Sequence, residues 1–263
     1  MYQRQSFKQI LEFTPKIVKW TIFAILGITL FGLLSQALFT KLFGLPTLQE
    51  ILSLSTWGIK HFFLWQLITY ALIQPMAIVG VEFGTIIRLL FDTYLLWAIG
   101  SSIIGSRGQK HFIGLFFGGT LFIGLIACLA LLFSGSPVPF VGPSFPIYIL
   151  LIGWVFLIPY ARIMLFMLIP MQAKWLVFGL LGINLFIDLS NGNFFSFLTT
   201  FGTLLYGYSY AVLVWESLSP FPLLHNFEKK LIFLKRKLFS PLRRRPKVEV
   251  QGSNIHKYRK YRD

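Results

Sequence analysis

The sequence predicts an all-α fold: a polytopic membrane protein of six spanning helices with an amphipathic first loop. Three observations predict it. The 263 residues are 56% hydrophobic and only 13% charged, against about 45–50% apolar and about 25% charged in an ordinary soluble domain. Apolar runs near the length needed to cross a bilayer, about 20 residues, recur six times. The net charge of +15 gathers in the termini and in alternate connections between those runs.

Taken in order, residues 1–16 form a basic N-terminus with Arg4, Lys8 and Lys16. The first run, Ile17–Thr40, is followed by no small-residue cleavage site and reads as a retained helix rather than a signal peptide. The connection Lys41–Trp65 contains LQEILSLSTWGIKHFFLW, whose Trp57, His61, Phe62, Phe63 and Trp65 suit the headgroup level of the outer interface. The second run, Ile86–Ile104, begins around Arg88 and Asp92. The third, Phe112–Phe133, carries Gly114 and Gly118 four residues apart, which lets a neighbouring element of the same chain approach closely. Phe145–Tyr160 and Trp175–Leu189 fall short of a full span and therefore read as helices packed among others. Phe194–Trp215 completes the membrane domain, 17–215. Residues 216–263 form a basic tail, which from Ser217 onward has 13 Lys and Arg against 3 acids and so holds +10 of the net charge.

Positive residues stay on the cytoplasmic side. Arg107 and Lys110 lie between the second and third runs, and Arg162 and Lys174 between the fourth and fifth. With both basic ends, they place the two termini in the cytoplasm, as an even number of spans requires. A bacterial inner membrane is the expected location. Cys128 is the only cysteine, which excludes a disulfide framework and a thiolate metal site. No metal or other cofactor is expected.

Five segments carry a resemblance. WQLITYALIQP (Trp65–Pro75), RLLFDTYLLWAIG (Arg88–Gly100), SRGQKHF (Ser106–Phe112), VGPSFPIYILLIGW (Val141–Trp154) and TFGTLLYGY (Thr200–Tyr208) resemble, in order and spacing, the rhomboid family of intramembrane serine proteases. The resemblance implies a six-helix bundle in which a serine at the start of the fourth helix is activated by a histidine on the sixth. It also implies a histidine and an asparagine on the second helix that hold the oxyanion. Ser144 falls on the nucleophile position and Tyr148 on the aromatic one a turn later. The histidine position is Thr200. Arg88 and Asp92 stand at the oxyanion positions, Phe145 replaces the glycine after the serine, and Gln66 replaces the arginine of a Trp-Arg pair in the first loop. One chemical residue of four survives.

A serine hydroxyl needs a base within hydrogen-bond reach. Of the four histidines, His111, His225 and His256 fall on the cytoplasmic side, about 30 Å from Ser144, and only His61 shares its side. Ser144 is therefore expected to act as a helix N-cap. Arg88 and Asp92, one turn apart, suit an ion pair inside the bundle. A second reading makes them, with Tyr148, a site for a polar substrate or for an incoming helix. EKKLIFLKRKLF in the tail suits a short amphipathic helix. Its Lys235, Arg236 and Lys237, with Arg243, Arg244 and Arg245, suit anionic lipid, ribosomal RNA or an acidic protein. The expectation is a non-proteolytic relative that, like the derlins the resemblance brings with it, binds membrane-protein clients or scaffolds their assembly. Two alternatives stay open: a divergent protease using Ser144 with His61, and a structural subunit of a larger membrane complex.

Overall fold

A computed structural model describes residues 14–35, 47–76, 82–134, 139–165 and 169–239. Among these residues, five helices are long and apolar enough to cross a membrane: α1 (Lys16–Ser35), α2 (Phe83–Arg107), α3 (Gln109–Phe133), α5 (Ala173–Ser190) and α6 (Phe194–Val214). The sixth apolar helix, α4 (Ser144–Leu157), has 14 residues. At 1.5 Å per residue it reaches about 21 Å, less than the hydrocarbon thickness of about 30 Å. It is placed accordingly. Pro146, Ile147, Ile149, Leu150, Ile152, Gly153, Val155 and Phe156 are all buried, and α2, α3, α5 and α6 each pack against it. The surrounding helices turn large apolar side chains such as Phe31, Leu90, Leu129, Ile183 and Phe201 outward, as a protein dissolved in lipid requires.

Each of the six expected runs overlaps one of these helices, with ends displaced by a few residues. The last five residues of the first run, 36–40, lie outside the described residues. One element was not expected. Between α4 and α5 the chain forms a two-stranded antiparallel hairpin, β1 (Arg162–Leu165) and β2 (Ile169–Gln172), with Arg162 opposite Gln172. RIMLFMLIPMQ has no turn-forming pair and merges into the apolar background, so periodicity does not separate it from a helix.

The first loop is built of short helical turns, Leu48–Leu52, Thr56–Lys60 and Gln66–Thr69. Trp57, Phe62, Leu64 and Trp65 are exposed along it, in keeping with an interfacial element. Gln66 is its internal brace. Its fully buried side chain accepts from the Ser55 amide at 3.3 Å and donates to the Ile51 carbonyl at 3.0 Å. Leu54 and Phe140 then exchange backbone hydrogen bonds of 3.0 and 2.8 Å, and the Gly142 amide donates to the Tyr70 carbonyl at 2.9 Å. The segment leading into α4 is thus held by the first loop. Gly124 of α3 admits the turn after it, since a Cβ there would lie 2.5 Å from the Leu67 carbonyl oxygen.

Gly114 and Gly118 open α3 to the tyrosines of α6. A Cβ on Gly118 would meet the Tyr206 hydroxyl at 2.5 Å, and that hydroxyl donates to the Gly114 carbonyl at 2.7 Å. The close approach lies within the chain, as expected. Gly114–Gly118 and Tyr210–Val214 are both single π-helical turns, so the wide turns of the two helices adjoin the same pair of tyrosines.

The ends of the bundle differ. At one, Arg107 donates to the Ser217 hydroxyl at 2.9 Å, His111 meets Tyr210 and Trp215, and Trp175 meets Phe221. A further helix, α7 (His225–Phe239), packs there against the last turn of α6. This is the basic end. Phe140, Ser144, the first loop and the α5–α6 turn make the other.

Candidate functional site

Ser144 is the first residue of α4, preceded by Pro143 with φ −80° and ψ −1°. The expected cap does not form. Pro143 stands at the cap position, and no side chain bonds the free amides. The reason lies two residues on. A cap hydroxyl at Ser144 would accept from residue 146 or 147, but Pro146 has no N–H and the Ile147 amide already donates to the Pro143 carbonyl. The half-buried Ser144 hydroxyl makes no hydrogen bond among the described residues.

Aromatic rings surround this turn. Phe140 lies 4.9 Å from Tyr70, 5.2 Å from Phe145 and 5.5 Å from Phe195, ring centre to ring centre, and Phe145 lies 6.2 Å from Tyr148. The conformation of Gly142, φ +116°, lets the chain turn from the Phe140 segment into the helix.

The other site positions lie on the neighbouring helices. Thr200 is buried on α6 and its hydroxyl donates to Asp188 Oδ2 on α5 at 3.2 Å. Asp92 is buried on α2 and accepts from Gln74 Nε2 at 2.7 Å. The expected ion pair is absent: Arg88 makes no salt bridge among the described residues, and its side chain is exposed. A carboxylate that needs a partner in an apolar interior takes the nearest donor. Here that is the amide of Gln74, which also joins α2 to α1 by donating its backbone N–H to the Thr29 hydroxyl at 3.3 Å. Arg88 acts on Asp92 only through space, and both charges reach Tyr148 in the same way. Gln74 Oε1 is buried and has no hydrogen-bond partner among the described residues. Gln74 and Asp188 escape notice in the sequence; the one signal is that each is a polar side chain inside or beside an apolar run.

The histidines are engaged elsewhere. His61 Nδ1 meets the Trp57 carbonyl at 2.8 Å, His111 Nδ1 the Tyr210 hydroxyl at 3.2 Å, and His225 Nε2 the Ser219 carbonyl at 2.8 Å. His256 lies outside the described residues.

The family model of the Rhomboid domain matches residues 61–217. The chain belongs to the rhomboid family. Curated proteins yield no significant match. Ser144 and Thr200 both lie within the matched residues, and Thr200 has no titratable side chain to accept a proton. The match ends at the last turn of the bundle, so α7 is an addition to the rhomboid domain of this chain. Two of its basic residues are already engaged. Lys235 bonds the Leu213 carbonyl and lies 3.5 Å from Glu216, and Arg236 also grips Glu216. Lys235 and Arg236, expected as lipid or RNA contacts, thus each also have a partner within the chain. Arg243, Arg244 and Arg245 lie outside the described residues.

Proposed function

We propose that this rhomboid is non-proteolytic and binds membrane-protein clients through the polar site of α2, with Asp92 and Gln74 at its centre and Arg88 and Tyr148 beside it. One observation carries the reading: the Ser144 hydroxyl has no base against it among the described residues, while Thr200 spends its proton on Asp188. Removing a catalytic base costs orders of magnitude in rate. Asp92 and Gln74 Oε1, which has no partner among the described residues, are acceptors. The group they suit in a client helix is therefore a donor, such as an amide, hydroxyl or ammonium. The proposal places both termini in the cytoplasm and gives the basic tail a polyanion to meet.

The test has two arms. A serine-directed fluorophosphonate is expected to leave the protein unlabelled. Clients that co-purify with the wild type are expected to be lost with Asp92→Ala and Gln74→Ala. Unchanged co-purification would remove the client site.

The protease reading has one observation in its favour, the carboxylate of Asp188 against the Thr200 hydroxyl on α6. Labelling of wild type, lost in both Ser144→Ala and Asp188→Asn, would replace the client reading with that one.

A further inference from the structure

Past α6 the chain turns along the basic end and folds back as α7, and its inward face is firmly anchored. Glu228 is fully buried. It accepts from the Tyr208 hydroxyl at 2.5 Å and from the Ser219 amide at 2.9 Å, while Ile232 packs on the core. Lys235 and Arg236 hold Glu216. The two acids of this segment are therefore consumed inside the chain.

The outward face is of another kind. Phe227 and Leu234, 57% and 52% exposed, are seven residues apart and so share one side of the helix. Leu223, just before the helix, is 95% exposed. Lys230 lies three residues after Phe227 and four before Leu234, on that same side, and Lys229 lies one turn before the exposed Phe233, on the adjoining side. Neither lysine makes a hydrogen bond or salt bridge among the described residues, and both are exposed. An apolar stripe flanked by ammonium groups is thus held at the level where α6 ends. In water the stripe is unfavourable; at a headgroup boundary its apolar side chains enter the acyl region while the lysines stay with the phosphates.

We propose that the outward face of α7 lies on the surface of the protein's own bilayer and binds anionic phospholipid headgroups. Lys229 and Lys230 meet the phosphates, and Phe227 and Leu234 enter between the chains. The apolar stripe decides between polyanions, since an RNA backbone would use the charge and leave Phe227 and Leu234 in water. The inference rests on the polyanion partner proposed above and narrows it to lipid. It is independent of the client site.

The test uses the full-length protein in nanodiscs of phosphatidylcholine, with or without phosphatidylglycerol. In a Cys128→Ser background, an environment-sensitive fluorophore is placed at Phe227→Cys and, in a second protein, at Leu234→Cys. The expected result is a blue-shifted emission quenched by brominated lipid, strengthened by phosphatidylglycerol. That increment should be lost in Lys229→Glu with Lys230→Glu. Two water-exposed probes in both lipids would overturn the proposal and, if ribosomal RNA also leaves them unmoved, the polyanion reading with it. Emission moved by RNA and not by lipid would overturn the lipid assignment alone. Quenching that ignores both the added anionic lipid and the lysine reversals would overturn the headgroup contact. Both leaflets of a nanodisc are alike, so the outcome does not depend on how the chain is oriented in a cell.

Discussion

Asp92 is a carboxyl in an apolar bundle, and its stability rests on one amide. Gln74 Nε2 lies 2.7 Å from it and both side chains are buried. Asp92→Ala strands that amide, at a cost of about 1–3 kcal/mol for an unmet buried donor. Asp92→Asn keeps an acceptor in place and should cost less. Thermal unfolding in detergent is expected to order the proteins wild type, Asp92→Asn, Asp92→Ala, and an Ala variant as stable as the Asn one would show that the bond carries nothing. The same residues show how far a sequence can be read at this scale. Arg88 and Asp92 stand out as charges in an apolar run, and the spacing of one turn suggests that they pair. The actual partner comes from Gln74, outside the helix, because tertiary contact and not helical spacing decides which donor is closest. Ser144 teaches the same lesson in miniature. Its type favours a cap, but a proline two residues later removes one amide and Pro143 has already taken the next.

At the scale of elements, α7 is held by polar contacts more than by its apolar face. Glu228→Ala would strand the Ser219 amide and the Tyr208 hydroxyl, each at about 1–3 kcal/mol. The helix should then detach while the bundle stays folded. Limited proteolysis is expected to cut near residues 217–224 faster in the variant, and equal rates would refute the anchor. The second contact is pH-dependent. Glu216 is held below the ordinary carboxylate range by its hydrogen bond from Arg236, with Lys235 assisting. A lowered value in the folded state means that this contribution is present above the ordinary carboxylate value, about 4.3. It fades as pH falls through the lowered one. Proteolysis by an acid-active protease should therefore accelerate below about pH 4, and less so in Glu216→Gln, which lacks the charge at any pH. The amphipathic pattern of α7 is legible in the sequence. Which basic residues turn inward is not, because Glu216 belongs to the preceding connection and meets Lys235 and Arg236 only once the chain folds back.

For the whole molecule, hydropathy was a sufficient guide to the membrane spans. A spanning segment must satisfy its backbone internally and its surface in lipid, so long apolar runs have few other structures to adopt. The hairpin between α4 and α5 escaped because an apolar strand and an apolar helix look alike without a turn signal. Charge segregation supplies the remaining feature, direction. Arg107, Lys110, Arg162, Lys174 and α7 gather at one end, and Glu50, Glu82 and Asp188 at the other. If the basic end faces the cytoplasm, a cysteine placed at exposed Asn226 should resist an impermeant maleimide in intact cells, and one at exposed Lys60 should react. Both are made in a Cys128→Ser background. The rule weighs Lys and Arg near the ends of spans, so Arg107→Glu with Lys110→Glu should weaken the bias locally while the termini still oppose inversion. The expected result is an unchanged labelling pattern in that double variant. Labelling at position 226 in the otherwise unaltered chain would invert the orientation. It would also carry the outward face of α7 away from the anionic cytoplasmic leaflet that its lysines require.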